Sequence, residues 1–563
     1  MRRVCVTGAF VAVLAGALPA GAAAATPAPG SVVTTGNVLV LLDTGRAAAA
    51  AGQTAIAATA ARLGARRAGR SVPEIGLITL RPPAGVGAAA FAASLRGLPG
   101  VASVELEHRL VPRSLPNDPA LTAPDPSSGV VEWELAREGF YNAWNITHGD
   151  GALVGVIDTG IDGTHADLAS KIADAIDQQD PSDARGTART DEVGHGTHVS
   201  SLACAATNNG IGMAGAGYNC NLLLEKTDFS DSSIDAAIVD AANRHVGALN
   251  MSFGPTQCVS QATAAEVRAL NYAAARKVVL VAAAADQPCT EQGDPADVLQ
   301  PAGTGSDITQ GIGLDVTAAD YAGGRADFAG FGSEISLAAF GSLNPDATSA
   351  PPFCPPPKPG LLGAIPPFPT DLDNPVSGGP LCRTTMNGAN YAYLQGTSMA
   401  APQVAAAGAL MRELNPFATL ADVLKTLKLT AQRPAGSGFG GDLGWGILNA
   451  GAALEVIRSV DRLPPVSKLR APRVSHRRNI QLRWSGHDQQ WPELIASGIA
   501  KFKVYLRLGR HRSRLLVTTK RHKFTFHGKP GQNYAFYVVA IDKAGNREQK
   551  PAVMRTRVVA GAR

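Results

Sequence analysis

Between residues 130 and 460 the chain repeats one pattern: a short run of apolar residues, then a longer stretch with helical spacing. The apolar runs fall at 153–157, 222–225, 248–251 and 278–282, and the helical stretches at 195–206, 233–244, 263–275 and 398–414. Strands that read as continuous hydrophobic runs are buried on both faces, which is the condition of a parallel sheet between helical layers. The pattern therefore predicts an α/β domain with a mostly parallel sheet and helices on both sides. Hydrophobic residues make up 45% of the 563, enough for a sizeable core, and a chain of that length divides into several units.

The flanks read differently. Arg2 and Arg3 precede an apolar stretch at 4–18, and small residues follow to Ala25. That is the order of a secretory signal peptide, so residues 1–25 are expected to be removed on export. No other apolar run is long enough to span a membrane. Residues 26–36 form a linker. Strand patterns at 38–42, 75–80 and 101–105 alternate with helical patterns at 47–66 and 88–98, predicting a small α/β module over 37–113. Residues 116–128, rich in Pro, Asp and Ser, read as an exposed linker, and the proline-rich 345–388 as an inserted surface loop. Beyond Leu463-Pro464-Pro465, short alternating segments at 480–484, 502–508, 515–519, 523–526 and 534–541 predict a β-sandwich over 466–563.

Charge separates these parts. The net charge is only +5, yet residues 461–563 carry 23 Lys and Arg against 5 Asp and Glu, leaving the rest acidic. A basic sandwich suits acidic surface polymers or simply a solvated surface, and no nucleic-acid motif favours that partner. Export also bears on the cysteines. Apart from Cys5 there are six, and an even number in an oxidising compartment points to disulfides. Nearest-neighbour pairing gives Cys204–Cys220, Cys258–Cys289 and Cys354–Cys382, while the lack of C-x-x-C argues against a cysteine zinc or redox site.

Three stretches carry chemistry: Val154-Gly155-Val156-Ile157-Asp158-Thr159-Gly160, Gly194-His195-Gly196-Thr197-His198, and Gln395-Gly396-Thr397-Ser398-Met399-Ala400. Each alone has a plain reading. Asp158 could cap or bind a metal, His195 and His198 could form an i, i+3 metal pair, and Ser398 could be an N-cap. Together they supply a hydroxyl, a base to take its proton and a carboxylate to orient that base, in the order Asp, His, Ser.

These three stretches resemble the signature motifs of the subtilisin-like serine peptidases, the subtilases. The resemblance extends over about 117–454 and includes Leu249-Asn250-Met251-Ser252-Phe253-Gly254, Gln300-Pro301-Ala302 and Gly444-Trp445-Gly446-Ile447-Leu448-Asn449. It implies a three-layer catalytic domain over 117–460. It also implies a secreted serine endopeptidase in which Ser398 attacks, His195 is base then acid, and Asp158 orients it. Ser252, Phe253 and Gly254 would pair with substrate backbone, and Ala283, Ala284 and Ala285 would wall an apolar specificity pocket. The oxyanion site would be Ser398 N–H with residue 286, but here Asp286 stands where the family usually has Asn. Ionised, Asp286 repels the oxyanion; protonated, it donates to it. The resemblance further implies a structural Ca²⁺ held by Asp167 and Asn209 side chains and the Thr207, Ile211 and Met213 carbonyls, with Glu132 a further candidate. Residues 37–113 resemble the inhibitor-type propeptide, cut between about 113 and 125, and 466–563 a fibronectin type III or Ig-like module on a monomeric enzyme. The rival expectations are a catalytically impaired binding protein of the same fold and a processing protease of narrow specificity.

Overall fold

The computed structural model describes residues 34–561, apart from 44–45, 69–71, 73–74, 84–85, 109–114, 180–186, 256–257, 260–261, 344–359, 374–380, 434–436, 492 and 509–511. The signal segment 1–25 lies outside the described residues. The chain divides into two compact units, Met1–Leu110 and Val111–Arg563.

In the first unit, strands Thr34–Leu42, Arg66–Arg67, Leu77–Arg81 and Val101–His108 form one antiparallel sheet with Thr34–Leu42 and Leu77–Arg81 in the middle. Helices Arg46–Leu63 and Ala88–Leu95 accompany it. Strand alternation fixes the face: Val38, Val40 and Leu42 are buried with Ile78, Leu80, Phe91 and Leu95, while Leu39 and Leu41 are only half-buried.

The second unit is built on seven parallel strands: β1 Leu153–Asp158, β2 Ile172–Asp177, β3 Asn221–Lys226, β4 Ala248–Met251, β5 Val279–Ala283, β6 Leu314–Ala319 and β7 Leu337–Phe340. Their order is β7-β6-β5-β4-β1-β3-β2, every pair parallel. Helices α1 His195–Cys204 and α4 Thr397–Leu414 pack with one face, through Val154, Val156, Val199, Val404 and Leu410. Helices α2 Asp231–Asn243 and α3 Ala264–Ala275 pack with the other, through Ile157, Leu249, Leu280, Ile238 and Leu270. Successive strand residues thus feed opposite helical layers, which is why the runs are apolar throughout.

Two differences from the sequence reading have physical causes. Strands β2 and β6 were hidden by polar positions, since Asp174 and Asp177 punctuate an edge strand and Asp315 and Thr317 sit fully buried inside β6. The segment 345–388 is not simply a surface loop. Its described part supplies Leu361–Ala364, buried at every position, and Cys382–Met386, which both pair with Ala389–Leu394 in a second, antiparallel sheet. Gly363 in that sheet lies so close to the His198 ring that a Cβ would fall 2.4 Å from it. Cys204–Cys220 and Cys258–Cys289 form as expected; the third predicted pair has Cys354 outside the described residues.

Residues from Val466 onward make a two-sheet β-sandwich. Val466–Arg470, Asn479–His487 and Lys523–His527 face a five-stranded sheet that includes Ile499–Arg507 and Asn533–Asp542. Ile480, Leu482, Trp484, Phe502, Val504, Phe536 and Val538 fill the space between.

Candidate active site

Asp158 is the last residue of β1 and is fully buried, at the carboxyl edge where ligands of parallel sheets bind. His195 opens α1 and its Nδ1 lies 2.8 Å from Asp158 Oδ1. Gly196 makes that approach possible, because a Cβ there would fall 2.2 Å from the Gly160 carbonyl oxygen. The histidine pKa lies above its ordinary value. Burial is the largest single influence and pulls it down, but the Asp158 charge and hydrogen bond, with Asp191 and Asp286, outweigh it.

Asp191 was not singled out in the sequence. It is buried, and accepts from Gly194 N, Thr197 N and Thr197 Oγ1, and from Thr159 Oγ1. It therefore caps α1 and ties it to the residue after Asp158. A carboxylate a few residues before a helix start is a recognisable capping signal. His198, the alternative metal partner, points elsewhere. Its Nε2 meets the Ala392 carbonyl at 3.1 Å, and burial pushes its pKa down to about 3.

Ser398 stands in the first turn of α4 and lines a cavity of about 200 Å³ with Phe253, Gly254, Ala283, Ala284, Ala285 and Asp286. Its Oγ donates to the Ser252 carbonyl at 3.3 Å rather than to His195. Pro402, inside the same helix, has no N–H for the carbonyl of residue 398. Ser252 Oγ fills that role at 3.1 Å, so the turn that carries Ser398 and the segment just after β4 are joined in both directions. Among the described residues, the backbone of Phe253 and Gly254 makes no hydrogen bond, which leaves its N–H and C=O groups open beside the cavity.

Asp286 is at the exposed rim of the cavity, yet its carboxyl group is closely surrounded by protein. That burial raises its pKa, opposed by hydrogen bonds from Thr397 and by the His195 charge. Oδ1 accepts from Thr397 N and Thr397 Oγ1, both at 2.8 Å. A protonated Asp286 would thus keep Oδ1 as acceptor and carry its proton on Oδ2.

The expected calcium ligands converge, but as arranged they do not fit a cation. Asp167 is fully buried, and its Oδ1 accepts from Asn209 Nδ2 while Oδ2 accepts from Met213 N and Tyr391 OH. Asn209 Oδ1 is taken by Ile211 N, and Glu132 by Ala214 N. The carbonyls of Thr207, Ile211 and Met213 accept no hydrogen bond among the described residues, but the Asp167 carboxylate already meets three donors. The loop closes on a tyrosine hydroxyl where the resemblance implied Ca²⁺. Tyr391→Phe is accordingly expected to destabilise the domain by about 1–3 kcal/mol, because it removes a buried donor to a charged acceptor. Denaturant unfolding of the Ser398→Ala protein with and without this change measures it, and a loss that Ca²⁺ fully restores would return the loop to the metal reading.

A parallel three-layer α/β domain with Asp, His and Ser in this order at one edge defines a subtilisin-like class of protein. The subtilase family model matches residues 149–446, and the chain belongs to that family. It is 28% identical over 396 residues to an extracellular protease of Xanthomonas campestris pv. campestris, covering 63% of this chain and 59% of that one. It is 26% identical over 303 residues to thermitase of Thermoactinomyces vulgaris, covering 53% and 86% respectively. The chain spans 59% and 60% of the length of the Xanthomonas protease and of a thermophilic serine proteinase from a Bacillus species. A solved protease structure from Pseudoalteromonas arctica aligns with a TM-score of 0.46 at 25% identity, covering 61% of this chain and 100% of that one.

Proposed function

We propose that the chain is a serine endopeptidase that hydrolyses peptide bonds through Ser398, His195 and Asp158. The observation that carries this is the Asp158–His195 hydrogen bond together with a cavity lined by Ser398 and by Phe253 and Gly254, whose backbone is open. Asp158 accepts the Nδ1–H, which leaves the Nε2 lone pair as base. Substrate laid along Ser252, Phe253 and Gly254 adds a strand to the open edge and brings its carbonyl to Ser398. Ser398 Oγ gives its proton to His195 Nε2 as it attacks, and the Ser398 N–H, at the positive end of α4, meets the oxyanion. His195 then protonates the leaving amine, and water cleaves the acyl-enzyme by the same steps reversed. Small, uncharged Ala283, Ala284 and Ala285 favour an apolar side chain before the scissile bond.

The same reading extends to the flanking units. Residues 37–113 act as a folding template and inhibitor that the enzyme cuts away, 117–460 form the catalytic domain, and 466–563 a basic fibronectin type III or Ig-like module. Export follows from the signal-like 1–25, and the Xanthomonas relative is named an extracellular protease. Asp286 favours a second reading, an impaired enzyme that binds rather than cleaves. Labelling with a fluorophosphonate separates the two. Wild type is expected to gain one adduct at Ser398 and to lose residues up to about 113–125 by intact mass, and Ser398→Ala to do neither. An unlabelled, uncut wild type would favour the binding protein.

A further inference from the structure

Outside the active site, one group of side chains has no role in the reaction. One carboxylate oxygen each from Asp461, Asp488 and Asp542 lie within 4.8 Å of one another. They come from three places: just beyond the helix Ala450–Ile457, just after the strand Asn479–His487, and the last residue of the strand Asn533–Asp542. The segment 461–563 is strongly basic, with 5 acidic residues among 23 Lys and Arg, yet three of the five gather here. Among the described residues no Lys or Arg pairs with any of them.

Ordinary capping explains only part of the cluster. Asp461 accepts from Leu463 N and Ser497 N, Asp488 Oδ2 from Gly498 N, and Asp542 Oδ1 from Asn546 N. Asp542 is only 2% exposed, however, and its Oδ2 has no hydrogen-bond donor; the buried Asp488 Oδ1 has none either. A buried anionic oxygen without a donor is costly, and two facing a third carboxylate repel as well. Burial, and then the Asp461 and Asp542 charges, raise the Asp488 pKa.

We propose that Asp461, Asp488 and Asp542 hold a Ca²⁺ ion at the seam between the catalytic domain and the β-sandwich. Three carboxylates from separate chain segments form an all-oxygen donor set for a hard cation, with water completing the shell. The seam already carries contacts that would hold the ligands in place. Asn546 Nδ2 donates to the Asp461 carbonyl, Ile495 N to the Arg458 carbonyl, and the Phe417 and Trp491 rings stack edge-on at 5.1 Å. The ion would lock the sandwich to the last turn of the enzyme domain. This inference stands apart from the catalytic reading and survives its failure.

The test uses the full chain carrying Ser398→Ala, to prevent self-digestion, and CaCl₂ alone as the probe. Calorimetric titration is compared for that protein and for versions with Asp488→Asn, Asp542→Asn or Asp167→Asn. The expected result is one bound Ca²⁺ that Asp488→Asn and Asp542→Asn each abolish and Asp167→Asn leaves. Ca²⁺ should also raise the thermal midpoint by about 2–4 °C in the parent but not in those two variants. In chelator both variants should melt no lower than the parent, because they remove repulsion, and this shows that they fold. Equal Ca²⁺ stoichiometry in all four proteins, or loss only with Asp167→Asn, would overturn the proposal. So would a parent that binds no Ca²⁺ and whose trio simply shares a proton.

Discussion

Ser398→Ala, freed of residues 37–113 by an added protease, is expected to lower kcat on a peptide substrate by about 10⁶-fold with KM nearly unchanged, both against mature wild type. On the proposed reading the hydroxyl attacks the substrate carbonyl, while binding rests on the backbone at Phe253 and Gly254 and on the alanine-walled cavity, which the change leaves intact. Adding His195→Ala to Ser398→Ala should cost little more, because the imidazole has no proton to take once Oγ is gone. The residual rate should be smaller than the usual about 10³–10⁴ over water wherever Asp286 is ionised, since what remains comes largely from oxyanion stabilisation. Active-site titration fixes the wild-type enzyme concentration, and the Ser398→Ala proteins, which have no hydroxyl to titrate, are pretreated with a fluorophosphonate so that traces of contaminating protease do not pass for catalysis. A Ser398→Ala protein keeping more than a few per cent of the activity would mean that another residue attacks. The 3.3 Å bond from Ser398 Oγ to the Ser252 carbonyl is no obstacle to this reading. It is long and is readily exchanged for His195 when substrate enters, as catalytic hydrogen bonds often tighten only in the complex.

The two kinds of feature, sheet and site, were legible to different degrees for one reason. Local pattern is visible in sequence, while convergence of distant polar atoms is not. β4 and β5 were apparent because every position is buried, β1 because all but its first residue is, and Asp158, His195 and Ser398 because each sits in a short glycine-marked stretch. β6 was not, because Asp315 and Thr317 inside it read as loop chemistry until the fold buries them. Leu361–Ala364 was masked by its proline-rich neighbours. The calcium expectation meets one side chain far along the chain. Tyr391 reaches back to Asp167, and nothing in the loop 207–213 announces that a hydroxyl will meet the carboxylate first. The Asp461, Asp488 and Asp542 cluster is of the same kind, since only the closing of the sandwich brings those oxygens together. Asp191 differs: its place just before a helix start was there to be read.

Asp286→Asn is expected to raise kcat/KM by up to about 10²–10³-fold at alkaline pH, the amount one oxyanion donor is worth. The sign follows from the direction of the pKa shifts. Burial raises the Asp286 pKa above 3.8, so the carboxyl stays protonated to a higher pH than an exposed one, then ionises and turns from donor to repeller. His195, whose pKa is raised above 6.5, must be neutral to act as base, so activity falls on the acid side through His195, and Asp286 adds a fall of its own as pH rises through its raised pKa. Because each group's charge shifts the other, the two steps belong to the pair rather than to either residue. The amide cannot ionise, so the variant should keep the His195 step and lose the fall that Asp286 causes. Stability gives a separate check. A carboxyl whose folded pKa is raised contributes fully below the unfolded pKa of about 3.8, and that contribution is lost as pH rises through the folded value. Asp286→Asn should therefore melt no lower than wild type at neutral pH, and higher if Thr397 keeps donating to the new amide oxygen. Identical pH profiles for the two proteins would mean that Asp286 never meets the oxyanion. A variant slower than wild type at every pH would mean instead that the protonated acid is the better donor in this site, and that the chain depends on its unusual residue rather than tolerating it.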